Sequence, residues 1–308
     1  METTSTVGPT TWDDFVGQDR MKRRLRIHIT GAFEGKRPME HVLLAGPSGF
    51  GKTTLSNLIA GELTDPMVTL VMPMTRKVLI QELQIFPGGI LFLDEIHALS
   101  RRDQEILLPV LDERASVYDD RGRRWPLGWV TVLAATTEPG KIIAPLHDRF
   151  PIRPDFVPYS DEELGKIVSL MAENVGVEFD VETSEALGRA SGGIPRQGEQ
   201  FVLAARDLEI TLGRDPSVDE ILDLCSVSED GLTGLHRRYL EILAGQRGTA
   251  GEKTIESLLR VPVPVIRDLE RLLLERGLIE YTPGGRQLTP QGVLKVEGRD
   301  ETRAYARR

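Results

Sequence analysis

Three uninterrupted apolar runs mark the first half of the chain: His41-Val42-Leu43-Leu44-Ala45, Ile90-Leu91-Phe92-Leu93 and Val130-Thr131-Val132-Leu133-Ala134-Ala135. Runs of this kind fit central parallel strands covered on both faces, because a strand with one wet face would alternate. Amphipathic stretches separate them, so residues 12–157 are predicted to form an α/β domain. Prolines 151, 154 and 158 then interrupt the pattern, and the chain beyond reads as helical. Ser160 and Glu163 have capping-box spacing ahead of Leu164, Ile167, Val168 and Met171. Ser217 and Glu220 repeat it ahead of Ile221, Leu222 and Leu224, and residues 158–230 are predicted as a small helical domain. From 231 to 298 three helical stretches (Leu235 to Leu243, Thr254 to Leu259, Val265 to Arg276) precede a hairpin. The hairpin pairs Leu278 to Tyr281 with Gln287 to Thr289 across Pro283-Gly284-Gly285, which outlines a winged helix-turn-helix. Residues 1–11 and 299–308 are predicted as tails.

Length agrees with this division, since 308 residues suffice for two or three domains. The net charge of −9 argues against a chain that coats nucleic acid over its whole surface. The charge is uneven, however. Residues 232–308 hold 14 Lys and Arg against 10 Asp and Glu, whereas the 231 residues before them hold 24 against 37. The single cysteine, Cys225, excludes an internal disulfide and a cysteine-based metal cluster, and its helical context predicts a small core residue. No apolar run approaches the ~20 residues of a membrane span, and Met1 to Thr10 lacks a signal-like pattern. A cytoplasmic protein is the simplest expectation.

Gly46-Pro47-Ser48-Gly49-Phe50-Gly51-Lys52-Thr53 matches the phosphate-binding pattern G-x-x-x-x-G-K-[ST] between a predicted strand and a predicted helix that continues through Thr54. The glycines let backbone N–H groups turn inward around a polyphosphate, and the helix N-terminus favours an anion. Lys52 is placed for the β- and γ-phosphates of ATP, and the Thr53 hydroxyl for Mg²⁺. Asp94 and Glu95 end the second apolar run, where two acids are costly unless a cation or water satisfies them. Asp94 fits as the Mg²⁺ partner and Glu95 as the base that polarises the attacking water. His97 reads more simply as a residue that positions its neighbours.

With Asp94-Glu95-Ile96-His97 and the loop before it, the chain resembles the AAA+ ATPases, and among them the RuvB family of Holliday-junction branch-migration motors. Trp12 to Gln18 resembles the family's opening segment beside the adenine, which implies nucleotide contacts from Val16 and, at the far end of the core, Tyr159. Ala135-Thr136-Thr137 resembles the first sensor, implying that Thr137 meets the γ-phosphate or the lytic water. Pro145 to Phe150 resembles the segment that sends an arginine into a neighbouring subunit's site, implying an arginine finger at Arg149. Gly193-Ile194-Pro195-Arg196 resembles the second sensor, implying that Arg196 approaches the γ-phosphate. The resemblance spans residues 12–292 and implies an AAA+ P-loop domain, a helical lid and a terminal winged helix. It also implies an ATP-driven ring, hexameric by analogy, acting on double-stranded or branched DNA.

DNA contacts are expected from Arg267 and Arg271, one turn apart on the longest helix of the third unit, and from Arg286 on the wing. The family implies a RuvA-like adaptor. The segment that should dock it, between Asp94 and Thr137, is shorter than in the family and reduces to Ser116 to Tyr118 and Trp125 to Leu127. Between them Arg121, Arg123 and Arg124 form a basic cluster, read as lining a ring's channel or as an ordinary hairpin tip. Two rival functions use the same motifs: a loader of a sliding clamp or replicative helicase, and a non-motor regulator that binds DNA under control of ATP.

Overall fold

The structure is a computed structural model that describes residues 7–305, with side-chain surroundings for 7–297. In the first 159 residues the helices are α1 (Asp19–Glu34), α2 (Lys52–Leu63), α3 (Arg76–Gln84), α4 (Arg101–Gln104) and α5 (Ala144–His147). The strands are β1 (Val42–Ala45), β2 (Met67–Val71), β3 (Gly89–Asp94), β4 (Ser116–Tyr118), β5 (Arg124–Pro126) and β6 (Val130–Thr136). Four of them form a parallel sheet in the order β1-β6-β3-β2. Ile152 and Asp155 bridge to Val42 and Ala45, extending the sheet beyond β1.

Side-chain alternation explains the apolar runs. Leu43, Leu91, Leu93, Val132 and Ala134 face one buried layer, with Leu79 and Leu83 of α3. Val42, Leu44, Ile90, Phe92, Leu133 and Ala135 face the other, with Leu55 and Ile59 of α2 and Leu25 and Ile29 of α1. Each Val, Leu, Ile or Phe among them contributes about 1.5–3 kcal/mol on burial, so both faces of the sheet resist opening. β2 was not singled out in the sequence, and it lies at the sheet's edge with only Leu70 buried. The strand order matters for function. It sets the carboxyl ends of β1, β6 and β3 side by side, where open α/β sheets bind ligands.

The chain divides into two compact units. The first holds the sheet together with Leu170–Val175 and Ile194–Glu199. The second holds Ser160–Ser169, Gly176–Gly193 and the chain from Gln200 onward. The predicted lid helices are present as α6 (Asp161–Val175), α7 (Val181–Ala190), α8 (Pro195–Leu212) and α9 (Val218–Cys225). Both capping boxes form: Ser160 and Glu163 exchange bonds of 2.8 and 3.1 Å, and Ser217 and Glu220 bonds of 2.9 and 3.3 Å. The winged helix follows as α10 (Gly234–Gly245), α11 (Glu252–Leu259), α12 (Val263–Glu275) and a sheet of order β7-β9-β8. Its strands are β7 (Thr249–Ala250), β8 (Ile279–Thr282) and β9 (Gly285–Leu288).

The winged helix and most of the lid fall in one compact unit, within which Arg276 donates to the Arg189 carbonyl at 3.0 Å and pairs with Asp161 at 3.7 Å. The predicted tail at 299–308 is instead helical as far as Tyr305, the end of α13 (Pro290–Tyr305), and residues 306–308 lie outside the described residues. At the other end residues 1–6 lie outside them too, while the Asn174 amide donates to the carbonyls of Val7 and Gly8. Cys225 is half-buried rather than a core residue. No described helix is long and apolar enough to cross a membrane.

Candidate active site

β1 hands the chain to the phosphate-binding loop, and the Gly46 N–H donates to the Thr136 carbonyl of β6 at 3.1 Å. Two glycines in the loop are required by geometry. Gly49 has φ of 79°, and a Cβ there would lie 2.7 Å from Ile194 Cγ2 and 3.0 Å from Arg196 Cβ. Gly51 has φ of 88°, and its Cβ would lie 3.2 Å from the Phe15 ring. Gly51 is also the N-cap of α2 and offers the first turn no side-chain acceptor, an arrangement suited to an external anion. Lys52 is buried, and its Nζ donates to the carbonyls of Gly46 and Pro47 at 2.9 Å each, holding the ammonium over the loop. Ser48 and Thr53 are exposed, while Pro47 and Thr54 are half-buried.

The Phe50 and Tyr159 rings pack at 5.6 Å, and the Tyr159 hydroxyl lies 3.4 Å from the Phe50 carbonyl. Val16 belongs to an opening segment tied down by Gln18, whose amide bonds Val157 at 2.7 and 3.0 Å. In that segment the Phe15 ring lies against Gly51 of the loop. Sequence reasoning missed Phe15 because an apolar ring after two acids carries no pattern of its own.

At the end of β3, Glu95 adopts a left-handed backbone (φ 52°, ψ 47°), unusual for a residue with a side chain. Such residues are held by their surroundings, and three donors hold this one. The Thr137 N–H and hydroxyl both donate to Glu95 Oε2 at 3.2 Å, and His97 Nδ1 lies 3.0 Å from it. His97 also meets the Thr136 hydroxyl at 3.1 Å and Glu138 Oε1 at 3.3 Å. Thr136 and Glu138 are thus members of the site that the sequence reading did not nominate; the Thr-Thr pair at the end of β6 was the available signal. Burial, joined by the adjacent Glu95 carboxylate, pushes the Asp94 carboxyl above the usual carboxylate range, against the pull of Lys52 and Arg196. Asp94, Glu95, Thr137, Lys52 and Arg196 therefore share one site.

Arg149 stands apart. Its Nε donates to Asp112 at 3.1 Å and its Nη1 to the Pro145 carbonyl at 2.9 Å. It lines a cavity with His41, Trp129 and Val130, the residues that enter β1 and β6. Lys52 and Thr137 follow the other ends of those strands. The loop follows β1, whose four residues span about 13 Å, so Arg149 sits at the far end of the strand that leads into its own chain's loop.

In the winged helix the three nominated arginines differ. Arg267 is 68% exposed, 3.8 Å from Glu252. Arg271 lies against Gly193 and pairs with Glu275 at 3.5 Å. Arg286, on the wing, is held by two acids. Its Nε donates to Glu270 at 2.8 Å and its Nη2 to Glu252 at 2.6 Å. Glu270 is fully buried and also accepts from the Tyr239 and Tyr281 hydroxyls at 2.7 Å each. The physical reason is electrostatic: a buried carboxylate needs a cation and full hydrogen bonding, and Arg286 supplies the charge.

Comparison with known proteins agrees with this geometry. Residues 7–156 match the family described as Holliday junction DNA helicase RuvB P-loop domain, and residues 229–297 the RuvB C-terminal winged helix domain. The Holliday junction branch migration complex subunit RuvB of Desulfosudis oleivorans is 36% identical over 91% of this chain and 87% of its own length. Its counterpart from Methanoregula boonei is 33% identical over 95% and 92%. The solved Thermotoga maritima RuvB Holliday junction branch migration motor superposes with a TM-score of 0.82 at 27% identity, covering 94% of this chain and 98% of that one. A FIGL-1 AAA domain in complex with ADP shares the fold alone, at 20% identity and a TM-score of 0.51 over 70% of this chain and 83% of its own. On sequence and structure together, the chain belongs to the RuvB family.

Proposed function

We propose that this chain is an ATP hydrolase that drives branch migration of Holliday junctions as a subunit of a ring, hexameric by analogy. One observation carries the reading. Lys52, Asp94, Glu95, Thr137 and Arg196 converge at the carboxyl ends of adjacent strands, while Arg149 lies at the opposite ends. A site so arranged is incomplete in one chain and complete between two.

The residues divide the work. The loop from Gly46 to Thr54 and Lys52 bind the polyphosphate, with Phe50, Tyr159 and the opening segment around Val16 on the base side. Mg²⁺ suits the remaining donors, the exposed Thr53 hydroxyl and the charge-crowded Asp94 carboxylate; when bound it neutralises charge on the phosphate oxygens. Glu95 accepts the proton of the attacking water as the new P–O bond forms and the bond to the leaving diphosphate breaks. Thr137, already bonded to Glu95, orients that carboxylate and senses the γ-phosphate. Arg196 from the lid side and Arg149 from a neighbouring copy counter the charge on the transferring group, a contribution of about 10³–10⁵ in rate for an arginine finger. On the DNA side, Arg267 and Arg271 of α12 bind duplex or branched DNA.

The relatives are described as subunits of a branch migration complex, and a RuvA-like adaptor is the corresponding partner. Here β4 and β5 have three residues each, so the adaptor's hold on this hairpin is small or lies elsewhere. The test uses the intact chain: Glu95→Gln should bind ATP yet lose hydrolysis by at least about 10²-fold, whereas Lys52→Ala should lose nucleotide binding itself. Hydrolysis retained in Glu95→Gln would remove Glu95 from its role.

A further inference from the structure

The hairpin tip joins the first turns of α3 and α4 into one basic surface. Arg76, which opens α3, reaches Asp120 of the tip at 3.4 Å and approaches Asp103 of α4 at 4.0 Å. The segments 75–78, 100–104 and 118–125 carry seven Lys and Arg against three Asp. Among the described residues, Lys77, Arg101, Arg102 and Arg121 are exposed and have no side-chain partner. Unpaired, exposed cations held close together repel one another, so the fold tolerates them here without internal use for them.

The surface is also rigid. Asp119 accepts from the Arg123 N–H at 2.8 Å, the Arg121 N–H at 3.0 Å and the Trp125 indole at 3.3 Å. These bonds, that of the Arg123 N–H first, hold the Asp119 carboxyl below the usual range, so it stays charged. The Arg123 guanidinium lies 4.2 Å from the Trp125 ring centroid. Gln104 pins α4 by donating to the carbonyls of Leu99 and Lys141 at 3.1 and 3.2 Å and accepting from the Ile143 N–H at 2.8 Å. Both α3 and α4 begin beyond the carboxyl ends of β2 and β3, on the same side of the sheet as the phosphate-binding loop. Three strand spacings separate β2 from β1, about 14 Å.

We propose that this surface, with Arg101, Arg102 and Arg121 as its principal donors, grips the phosphate backbone of duplex DNA, as a contact distinct from α12. The proposal rests on the reading of the chain as a DNA motor. A protein partner fits less well, because such an interface needs a desolvated apolar centre, and among the described residues the segments 75–78, 100–104 and 118–125 expose only Tyr118 and Val78 as large apolar side chains. Interfaces with DNA are polar and strongly positive.

The experiment compares the full chain with Arg101→Ala/Arg102→Ala/Arg121→Ala and with the same three positions changed to lysine. Binding to a short fluorescent duplex is followed by anisotropy across a salt series, alongside ATP hydrolysis without DNA. The alanine variant should bind about tenfold more weakly at moderate salt, with a shallower log–log salt dependence by up to about 0.9 per lost contact. The lysine variant should keep the parent slope, and hydrolysis without DNA should be unchanged in both. An alanine variant with the parent's affinity and slope overturns the proposal, also if it has lost an acidic adaptor protein. A parent chain that binds no duplex at low salt overturns the motor reading and the proposal together, so the two failures are distinguishable.

Discussion

Gly49 and His236 make the residue-scale argument testable. At Gly49 a methyl group meets Ile194 Cγ2 at 2.7 Å, on a backbone with φ of 79°. Gly49→Ala should therefore cost about 1–3 kcal/mol locally and lower ATP affinity, read by nucleotide titration of folded protein. His236 is buried, and its Nδ1 accepts from the N-cap amide of Thr233 at 3.1 Å. Burial, aided by the charges of Arg271 and Arg237 and opposed by Asp230, lowers its pKa to about 4. The folded state keeps it neutral while the unfolded chain protonates near pH 6.5, so stability is full above that pH. It is lost as pH falls toward 4, by up to about 3 kcal/mol. His236→Gln, which can still close the capping box, should flatten this dependence in thermal unfolding between pH 7 and 4. Identical pH profiles for the two chains would contradict it. Residues such as Lys52 and Glu95 were legible in the sequence because their chemistry requires fixed neighbours. Phe15 acts through packing, and Thr136 and Glu138 through His97, which follows the neighbouring strand β3; adjacency in sequence does not encode either.

Among the elements, the strands that carry the site were legible and their neighbours less so. Unbroken apolar runs marked β1, β3 and β6, because burial on both faces leaves no polar alternation. β2 at the edge and the two-residue β7 lacked that signal. The wing shows a second limit. Its hairpin was legible from the Pro-Gly-Gly turn, yet the partner of Arg286 was not, since Glu270, the acid that holds it, lies one turn from Ile266 on the buried face of α12. Removing that acid leaves the half-buried Arg286 guanidinium with Glu252 alone and takes the acceptor from the buried Tyr239 hydroxyl. Glu270→Ala should therefore destabilise the winged helix by about 1–3 kcal/mol, and Glu270→Gln by less. An unchanged unfolding midpoint for Glu270→Ala would show that Arg286 does not depend on it.

Across the whole molecule, charge follows function more finely than the net value suggests. Residues 160–231 hold 5 Lys and Arg against 17 Asp and Glu, so the lid carries the acidity and the sheet-bearing unit is nearly neutral. Cations thus remain for the phosphates, for the hairpin surface and for α12. On the proposed function, in which Arg149 acts in a neighbouring copy, hydrolysis requires assembly. Chains carrying Arg149→Ala and chains carrying Lys52→Ala should each be inactive alone, and mixing them should restore part of the hydrolysis, because a mixed interface can hold one intact site. No recovery at any ratio would count against action between subunits.

The central claim is that ATP hydrolysis in this chain moves a DNA junction. The most direct measurement follows a labelled synthetic four-way junction with the intact chain and ATP, with and without a RuvA-type protein, alongside hydrolysis on no DNA, linear duplex and the junction. The account predicts DNA-stimulated hydrolysis and conversion of the junction to duplex products, both lost in Glu95→Gln. Hydrolysis indifferent to DNA, with the junction unmoved under every condition, would contradict it.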